Sequence, residues 1–446
     1  MDYDLIVLGA GPGGYECALE CARAGKKVAV VEKSDVGGTC TNSGCIPTKA
    51  LWSCANALRK CKKAGKLGVN AENISIDVDA VFKHVEKTVK ISRMGIQKIL
   101  KDAGVDVLNG FGKLKDKNTV DVDGKEYSAK NIVIATGSKS KTLPGIEIDG
   151  EFVLDNAGIL ALKEIPSDLM IIGAGFIGCE YAGIYSTLGS NVTLVETLPQ
   201  ILPTEDADVV EFIAKKYSSR MELKTSTKLM AIEAKKKTVV LEEEGVRVEY
   251  KPSHVLMSVG VAPNTPGIGL EDVGVEFSKA GVKTNDFQRT SVENIYAVGD
   301  VCGKQMLAHA AYAQARVAAA NICGGKTVYK PNSVPWAVFT SPPIGHAGLT
   351  QAEAEKKGKV LVGVAQYASN GKANTMGVRD GFVKTIVDAE SGRILGVHIV
   401  GSNADTLLGE AQLIVEKEMT ADDLLKVIHP HPTLTELIYD SVAGLC

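Results

Sequence analysis

The sequence predicts an α/β protein: two Rossmann-like dinucleotide-binding domains followed by a C-terminal α+β domain. Three observations predict it. A G-x-G-x-x-G turn occurs twice, at Gly9, Gly11 and Gly14 and again at Gly173, Gly175 and Gly178. Each is preceded by an apolar strand pattern and followed by a helix and a second strand that ends in an acid, Glu32 or Glu196. Gly9 to Gly173 and Glu32 to Glu196 are both separations of 164 residues, so the two fingerprints share one register. Finally, 446 residues are too many for one ordinary core and suggest about three domains, yet no third fingerprint occurs.

The first unit opens with DLIVLG (4–9), an alanine-rich helix to Ala24 and the strand VAVVE (28–32). In such a turn the glycines let the chain bend, admit a pyrophosphate to the backbone and allow close helix–strand packing. The helix N-terminus favours phosphate charge, and the acid accepts hydrogen bonds from a ribose. NIVIATGS (131–138) is a strand running into a glycine turn at Thr136 and Gly137. The proline- and glycine-rich TLPGIEIDG then ends this segment, placing the first domain at 1–149.

The second unit, LMIIGAGFIG through NVTLVE, occupies 150–265 and leaves by a second strand-plus-glycine exit at Gly260. The chain then returns to the first domain over 266–332, where the strand NIYAVGD closes on Gly299 and Asp300 ahead of a helix starting near Leu307. Two dinucleotide sites imply two different dinucleotides, one of them naturally a flavin. Asp300 suits the hydroxyls of a ribityl chain; the plainer alternative is a helix N-cap. Glu196, with no arginine in the TLPQILP that follows it, repels a 2′-phosphate and favours NAD over NADP. From 333 to 446, beyond the proline-rich YKPNSVPWAVFTSPPIG, strand-like runs at VLVGVAQY, GFVKTIVD and RILGVHIVG precede helices beginning near Asn403 and Thr420.

Composition narrows the function. Apolar residues make up 45% and charged residues 23%, as in a soluble globular protein. A net charge of −3 provides no footprint for nucleic acid or an anionic membrane. The N-terminal apolar run is too short for a signal peptide and no stretch is long enough to span a bilayer, so a cytoplasmic setting is expected. Seven of the ten cysteines, Cys17, Cys21, Cys54, Cys61, Cys179, Cys302 and Cys323, sit in helical or buried-looking contexts and are expected to pack as small apolar side chains.

The exception is VGGTCTNSGCIPTK (36–49), with Cys40 and Cys45 in one short run. Metal ligation needs further ligands, and Ile46, Pro47, Thr48 and Lys49 supply none, so no metal is expected. A staple is disfavoured in a reducing compartment and in so small a loop. A redox pair beside a flavin explains more, because both are two-electron stores. Cys45 precedes a helix whose first turn suits Pro47, so a thiolate there gains from the helix N-terminus, and Lys49 follows one turn on. Near the C-terminus, HPHPTLTE places His431 five residues before Glu436, a base and an acid able to set its tautomer; His429 is expected to be a packing or hydrogen-bonded histidine with no chemistry.

These segments resemble the pyridine-nucleotide disulfide oxidoreductases over essentially the whole chain. The resemblance is carried by GAGPGGY (9–15), GGTCTNSGCIPTK (37–49), GAGFIGCEY (173–181), IYAVGDV (295–301), MLAHAA (306–311), GFVKTIVD (381–388) and HPHPTLTE (429–436). It implies FAD and NAD as cofactors and a homodimer whose C-terminal domain is the dimerisation domain. Cys40 would be the interchange thiol and Cys45 the flavin-side thiolate. Lys49 and Glu180 would pair near the nicotinamide side of the flavin, with Asp300 and Ala308 also at the flavin. His431 would reach the disulfide across the dimer interface.

The nearest members of the family oxidise a protein-bound lipoyl dithiol. That implies as partner a lipoyl-bearing acyltransferase of a 2-oxo acid dehydrogenase complex, or a glycine-cleavage lipoyl carrier protein. A reductase of another disulfide, glutathione-like, is the alternative, since FTSPPIGHAGLT (339–350) is similar to that stretch of glutathione reductases. A thioredoxin- or mercury-type reductase would want a terminal cysteine pair, and Cys446 is single.

Overall fold

The computed structural model describes residues 1–445; Cys446 lies outside the described residues. Three sheets organise the chain. In the first, the parallel order is Asp106–Asn109, Val28–Glu32, Tyr3–Leu8, the second half of Lys125–Ile134, then Ile295–Ala297. Every residue of Val28–Glu32 is buried, as expected of a strand covered on both faces. The first half of Lys125–Ile134 does something different. It pairs antiparallel with Thr119–Val122, which pairs in turn with Gly112–Leu114.

The second sheet repeats the first. Its order is Glu222–Lys224, Asn191–Val195, Asp168–Ile172, His254–Met257, Val153–Leu154, all parallel. The exits of the two units also pair with each other, Ser138–Ser140 running antiparallel to Val261–Pro263. The third sheet is antiparallel, in the order Trp336–Val338, Ile344–Gly348, Ile394–Val400, Phe382–Asp388, Val360–Gln366. Helices Ala404–Glu416 and Glu436–Ala443 bury Leu407, Ala411, Leu437 and Ile438 in its core.

Two local expectations are corrected. The proline-rich run before the C-terminal domain is part of the third sheet and not only a boundary. Trp336–Val338 lies at the sheet edge, where flanking prolines lose no ladder bond. Cys61 is exposed on the outer face of its helix, while Cys17, Cys21, Cys179 and Cys302 are buried and Cys54 and Cys323 half-buried.

The helix Cys45–Lys63 decides where the dithiol sits. It begins in the first unit, yet Leu51, Ala55 and Leu58 enter the same apolar core as Tyr181, Tyr185 and Tyr217 of the second. Its N-terminus is thereby wedged between the two fingerprints. No helix among the described residues is long and apolar enough to cross a membrane.

Candidate functional site

The two fingerprints are superimposable in their details. Gly9 and Gly173 have φ of +101° and +99°, a left-handed turn that favours glycine. A Cβ at Gly14 or Gly178 would fall 1.9 Å from the carbonyl oxygen of Gly9 or Gly173, so these two glycines set helix-to-strand contact. Glu32 accepts the Ala10 N–H at 2.9 Å, and Glu196 accepts the Ala174 N–H at 2.8 Å. Their second oxygens accept from the N–H of Ser34 and of Leu198.

Gly11 and Gly175 are the informative pair. Both have an extended backbone any residue adopts, and each stands at an uncapped helix N-terminus. A Cβ at Gly175 would meet nothing within 4 Å, and one at Gly11 only Gly38 Cα at 3.9 Å. Protein packing therefore does not demand glycine at either position. Free space over orphan N–H groups is what a bound pyrophosphate needs, so the residues fit two dinucleotides.

One cavity of about 1430 Å³ joins the two fingerprints. It exceeds the roughly 300–1,000 Å³ of ordinary ligand pockets, as two large ligands require. Gly9, Gly11, Glu32, Gly173, Gly175 and Glu196 line it, and so do Thr136, Gly137, Gly260, Asp300 and Ala308. Gly14 and Gly178 lie beneath it. Thr136 and Asn264 exchange side-chain-to-carbonyl hydrogen bonds of 2.8 and 3.1 Å, clasping the two exits where they meet. Ala308 opens a helix with no side-chain cap, so its first-turn N–H groups are available to a ligand.

Asp300 is not the N-cap of that helix, which is Leu307. Its carboxylate accepts from Ser138 Oγ at 2.6 Å, and burial pushes its pKa up. Ser138 ends the NIVIATGS run, where a serine after a glycine turn carries no spacing signal that points to Asp300.

Cys40 and Cys45 also line the cavity and are free thiols. The run between them is not a bare turn. Gly38–Asn42 is a short helix that carries Cys40, and Cys45 is the first residue of the next. The two sulfurs are hydrogen-bonded, and this bond is the largest cause of opposite shifts. It holds Cys45 down to about 7, with help from the Lys49 charge and against burial. Cys40 is pushed well above the usual thiol range. The pair thus favours the negative charge on Cys45 and the proton on Cys40.

Lys49 Nζ lies 2.7 and 2.9 Å from the two carboxylate oxygens of Glu180. The C-terminal domain closes over this pair: the Phe339 N–H donates to Glu180 at 2.9 Å, and Lys49 Nζ sits 4.7 Å from the Phe339 ring centroid. Phe339 carried no mark in the sequence. Thr41 is buried beneath the motif, and Ser43 is held through its carbonyl by Asn156 Nδ2 at 2.6 Å. On the Cys40 side the hydroxyls of Tyr15 and Tyr312 are hydrogen-bonded to each other; burial first raises both pKas, Tyr312 comes next for Tyr15, and Cys40 adds to both.

His431 and Glu436 do not line the cavity. His431 Nδ1 is 2.8 Å from Glu436 Oε1, and the His431 side chain is 76% exposed. The Thr433 N–H, and then His431, hold the Glu436 carboxyl below its ordinary range. His429 is mostly buried against Glu410 at 2.7 Å, in line with a packing role.

Residues 3–315 match the model of the pyridine nucleotide-disulphide oxidoreductases, and residues 334–442 match the dimerisation domain of the same group. The chain is 38% identical to a dihydrolipoyl dehydrogenase of Chlorobaculum parvum, over 98% of this chain and 96% of the relative. It is 35% identical to one of Bacillus subtilis, over 98% and 97%. Among solved structures, LpdA from Mycobacterium tuberculosis aligns with a TM-score of 0.92 at 27% identity, covering 99% of each chain. The flavoprotein disulfide reductase RclA from Escherichia coli aligns at 0.88 and 26%, also over 99% of each.

Proposed function

The chain belongs to the pyridine nucleotide-disulphide oxidoreductases, and from that premise we propose that it oxidises protein-bound dihydrolipoamide through Cys40 and Cys45 with His431 as the base. It is an NAD-dependent oxidoreductase whose cofactors are FAD and NAD, and its dimerisation domain makes it a homodimer. The observation that carries the proposal is the polarised dithiol, lying with the Lys49–Glu180 pair in the cavity that joins both fingerprints.

The chain's residues divide the work as follows. In the oxidised form Cys40 and Cys45 share a disulfide. A substrate thiolate bonds to Cys40 Sγ, breaking that disulfide and releasing Cys45 as a thiolate. The substrate's second thiolate attacks its own sulfur in the mixed disulfide and frees Cys40. The substrate leaves as a disulfide, and the electron pair stays on the Cys40–Cys45 dithiol. His431 takes up the substrate's thiol protons one at a time, the first passing to Cys40 Sγ as that sulfur is freed, with its ring held by Glu436. The Cys40 hydrogen bond, the Lys49 charge and the helix N-terminus favour the Cys45 anion. FAD, held beside the dithiol, would supply a two-electron acceptor for that pair and a hydride donor to NAD⁺.

For the nucleotides, Gly9, Gly11 and Gly14 with Glu32 would hold the FAD adenosine end, and Asp300 and Ala308 its ribityl and phosphate end. Thr136 and Gly137 would border the same site. Gly173, Gly175, Gly178, Glu196 and Gly260 would hold NAD, with the Glu196 carboxylate repelling a 2′-phosphate. The lipoyl group would arrive on a 2-oxo acid dehydrogenase acyltransferase or a glycine-cleavage carrier, in a reducing cytoplasmic setting.

A steady-state assay with dihydrolipoamide and NAD⁺, run against NADPH and oxidised glutathione, tests this reading. Turnover in the first pair is expected. Silence there with brisk turnover in the second would transfer the chain to the low-molecular-weight disulfide reductases.

A further inference from the structure

A second cluster lies outside the nucleotide cavity. His346 in Ile344–Gly348 and His398 in Ile394–Val400 are directly paired across adjacent antiparallel strands, and both are fully buried. Glu205 reaches them from the turn that leads into helix Ala207–Ser218, in the chain of the second nucleotide unit. One ligand atom from each of the three lies within 4.8 Å of the others.

The outer contacts orient all three toward one point. His346 Nε2 is 3.0 Å from the Gly348 carbonyl and His398 Nε2 is 2.9 Å from the Leu349 carbonyl. A carbonyl only accepts, so both rings carry their proton on Nε2 and turn Nδ1 inward. The indole N–H of Trp336 holds Glu205 Oε1, and its ring stacks on His346 with centroids 3.6 Å apart. Glu205 Oε2 is left 3.1 Å from His346 Nδ1, close to the ligand-to-ligand edge of roughly 3.3 Å around a tetrahedral zinc.

A single shared proton would satisfy His346 and Glu205 but not the third member. His398 Nδ1 has no hydrogen-bond partner among the described residues, although its ring is fully buried. Because Nε2 carries the proton donated to the Leu349 carbonyl, this Nδ1 is left as a bare lone pair. The neighbouring charges do not compete. Asp206 is taken by Lys384 at 2.7 Å and by the Gln351 N–H at 3.0 Å, and Lys384 also pairs with Asp208.

We propose that Glu205, His346 and His398 bind one divalent transition-metal ion, zinc by donor set, which ties the second nucleotide unit to the C-terminal sheet. Two imidazoles and a carboxylate suit zinc, and hydrogen bonds from the far ring nitrogens to backbone carbonyls are the usual outer shell of metal-ligating histidines. The site is structural: it supplies no step to the dithiol chemistry and shares no ligand with it.

The test is zinc content by mass spectrometry of the FAD-loaded dimer, after exposure to Zn(II) and a wash with chelator. It compares the wild type, a Cys40→Ser/Cys45→Ser double variant, Glu205→Gln and His398→Ala. About one zinc per chain is expected in the first two and almost none in the last two. Absence of zinc from the wild type, its loss with the cysteines, or its persistence in both site variants would overturn the assignment. Should His398→Ala fail to fold, the near-isosteric Glu205→Gln and the visible spectrum of Co(II)-loaded wild type decide the matter. Tetrahedral nitrogen–oxygen bands support the site, and a purely octahedral aquo spectrum refutes it.

Discussion

The dithiol and the His431–Glu436 pair are built in opposite ways. Cys40 and Cys45 lie inside a cavity and polarise each other; the Lys49 charge that helps, with the Glu180 and Phe339 N–H that hold Lys49 in place, comes from the same chain. His431 has a single side-chain partner in its own chain and turns most of its surface outward. The electron side is therefore complete in one chain on the proposed function, whereas the proton side would be presented to a second copy. On the proposed function, activity on substrate belongs to the dimer even though the thiolate belongs to the protomer.

The comparison breaks most visibly at Cys45. Cys45→Ser should lower dihydrolipoamide oxidation by about 10³-fold or more and abolish the long-wavelength thiolate-to-flavin band of the two-electron-reduced enzyme. A surviving band would reassign the flavin-side sulfur to Cys40. His431→Ala comes next, with a loss of roughly 10²–10⁴-fold in dithiol oxidation but little change in NADH-to-quinone transfer. Equal losses in both assays would take His431 out of proton transfer.

Glu436→Gln keeps the shape but loses the charge that orients the ring, and roughly a tenfold loss confined to dithiol oxidation is expected. A quinone assay falling in parallel would instead mark a folding defect. The smallest effect is a shift along the pH axis. The Cys45 thiolate forms above about pH 7 and is lost as pH falls through that value, so the band should titrate there. Lys49→Met removes a favourable charge and should raise the midpoint by about one unit. An unmoved midpoint would leave the thiolate's stability to Cys40 and the helix N-terminus.

Much of this was legible in the sequence because the fingerprints are local. A turn needing positive φ at Gly9 and open space at Gly11 writes itself into a few adjacent residues, and so does an acid 23 residues after the first glycine. Pairings made by folding were not legible. Glu205 meets His346 across 141 residues and Tyr15 meets Tyr312 across 297, with no spacing rule to announce either. Trp336–Val338 was hidden for a different reason, since prolines on both sides read as linker until a sheet edge absorbs them. Phe339 acts through its backbone N–H, which any residue but proline supplies.

The strand Ile295–Ala297 has a consequence for how the protein is made. It completes the first sheet beside Ile132–Ile134, yet it emerges from the ribosome only after the whole second unit. At about 5–20 residues per second, the N-terminal sheet waits on the order of ten to thirty seconds with an open edge. The second unit has all five of its parallel strands by Met257 and can close first. Synthesis order and sheet completion are thus inverted: the middle sheet is the first to have all its strands, and the sheet at the beginning must wait for its last one.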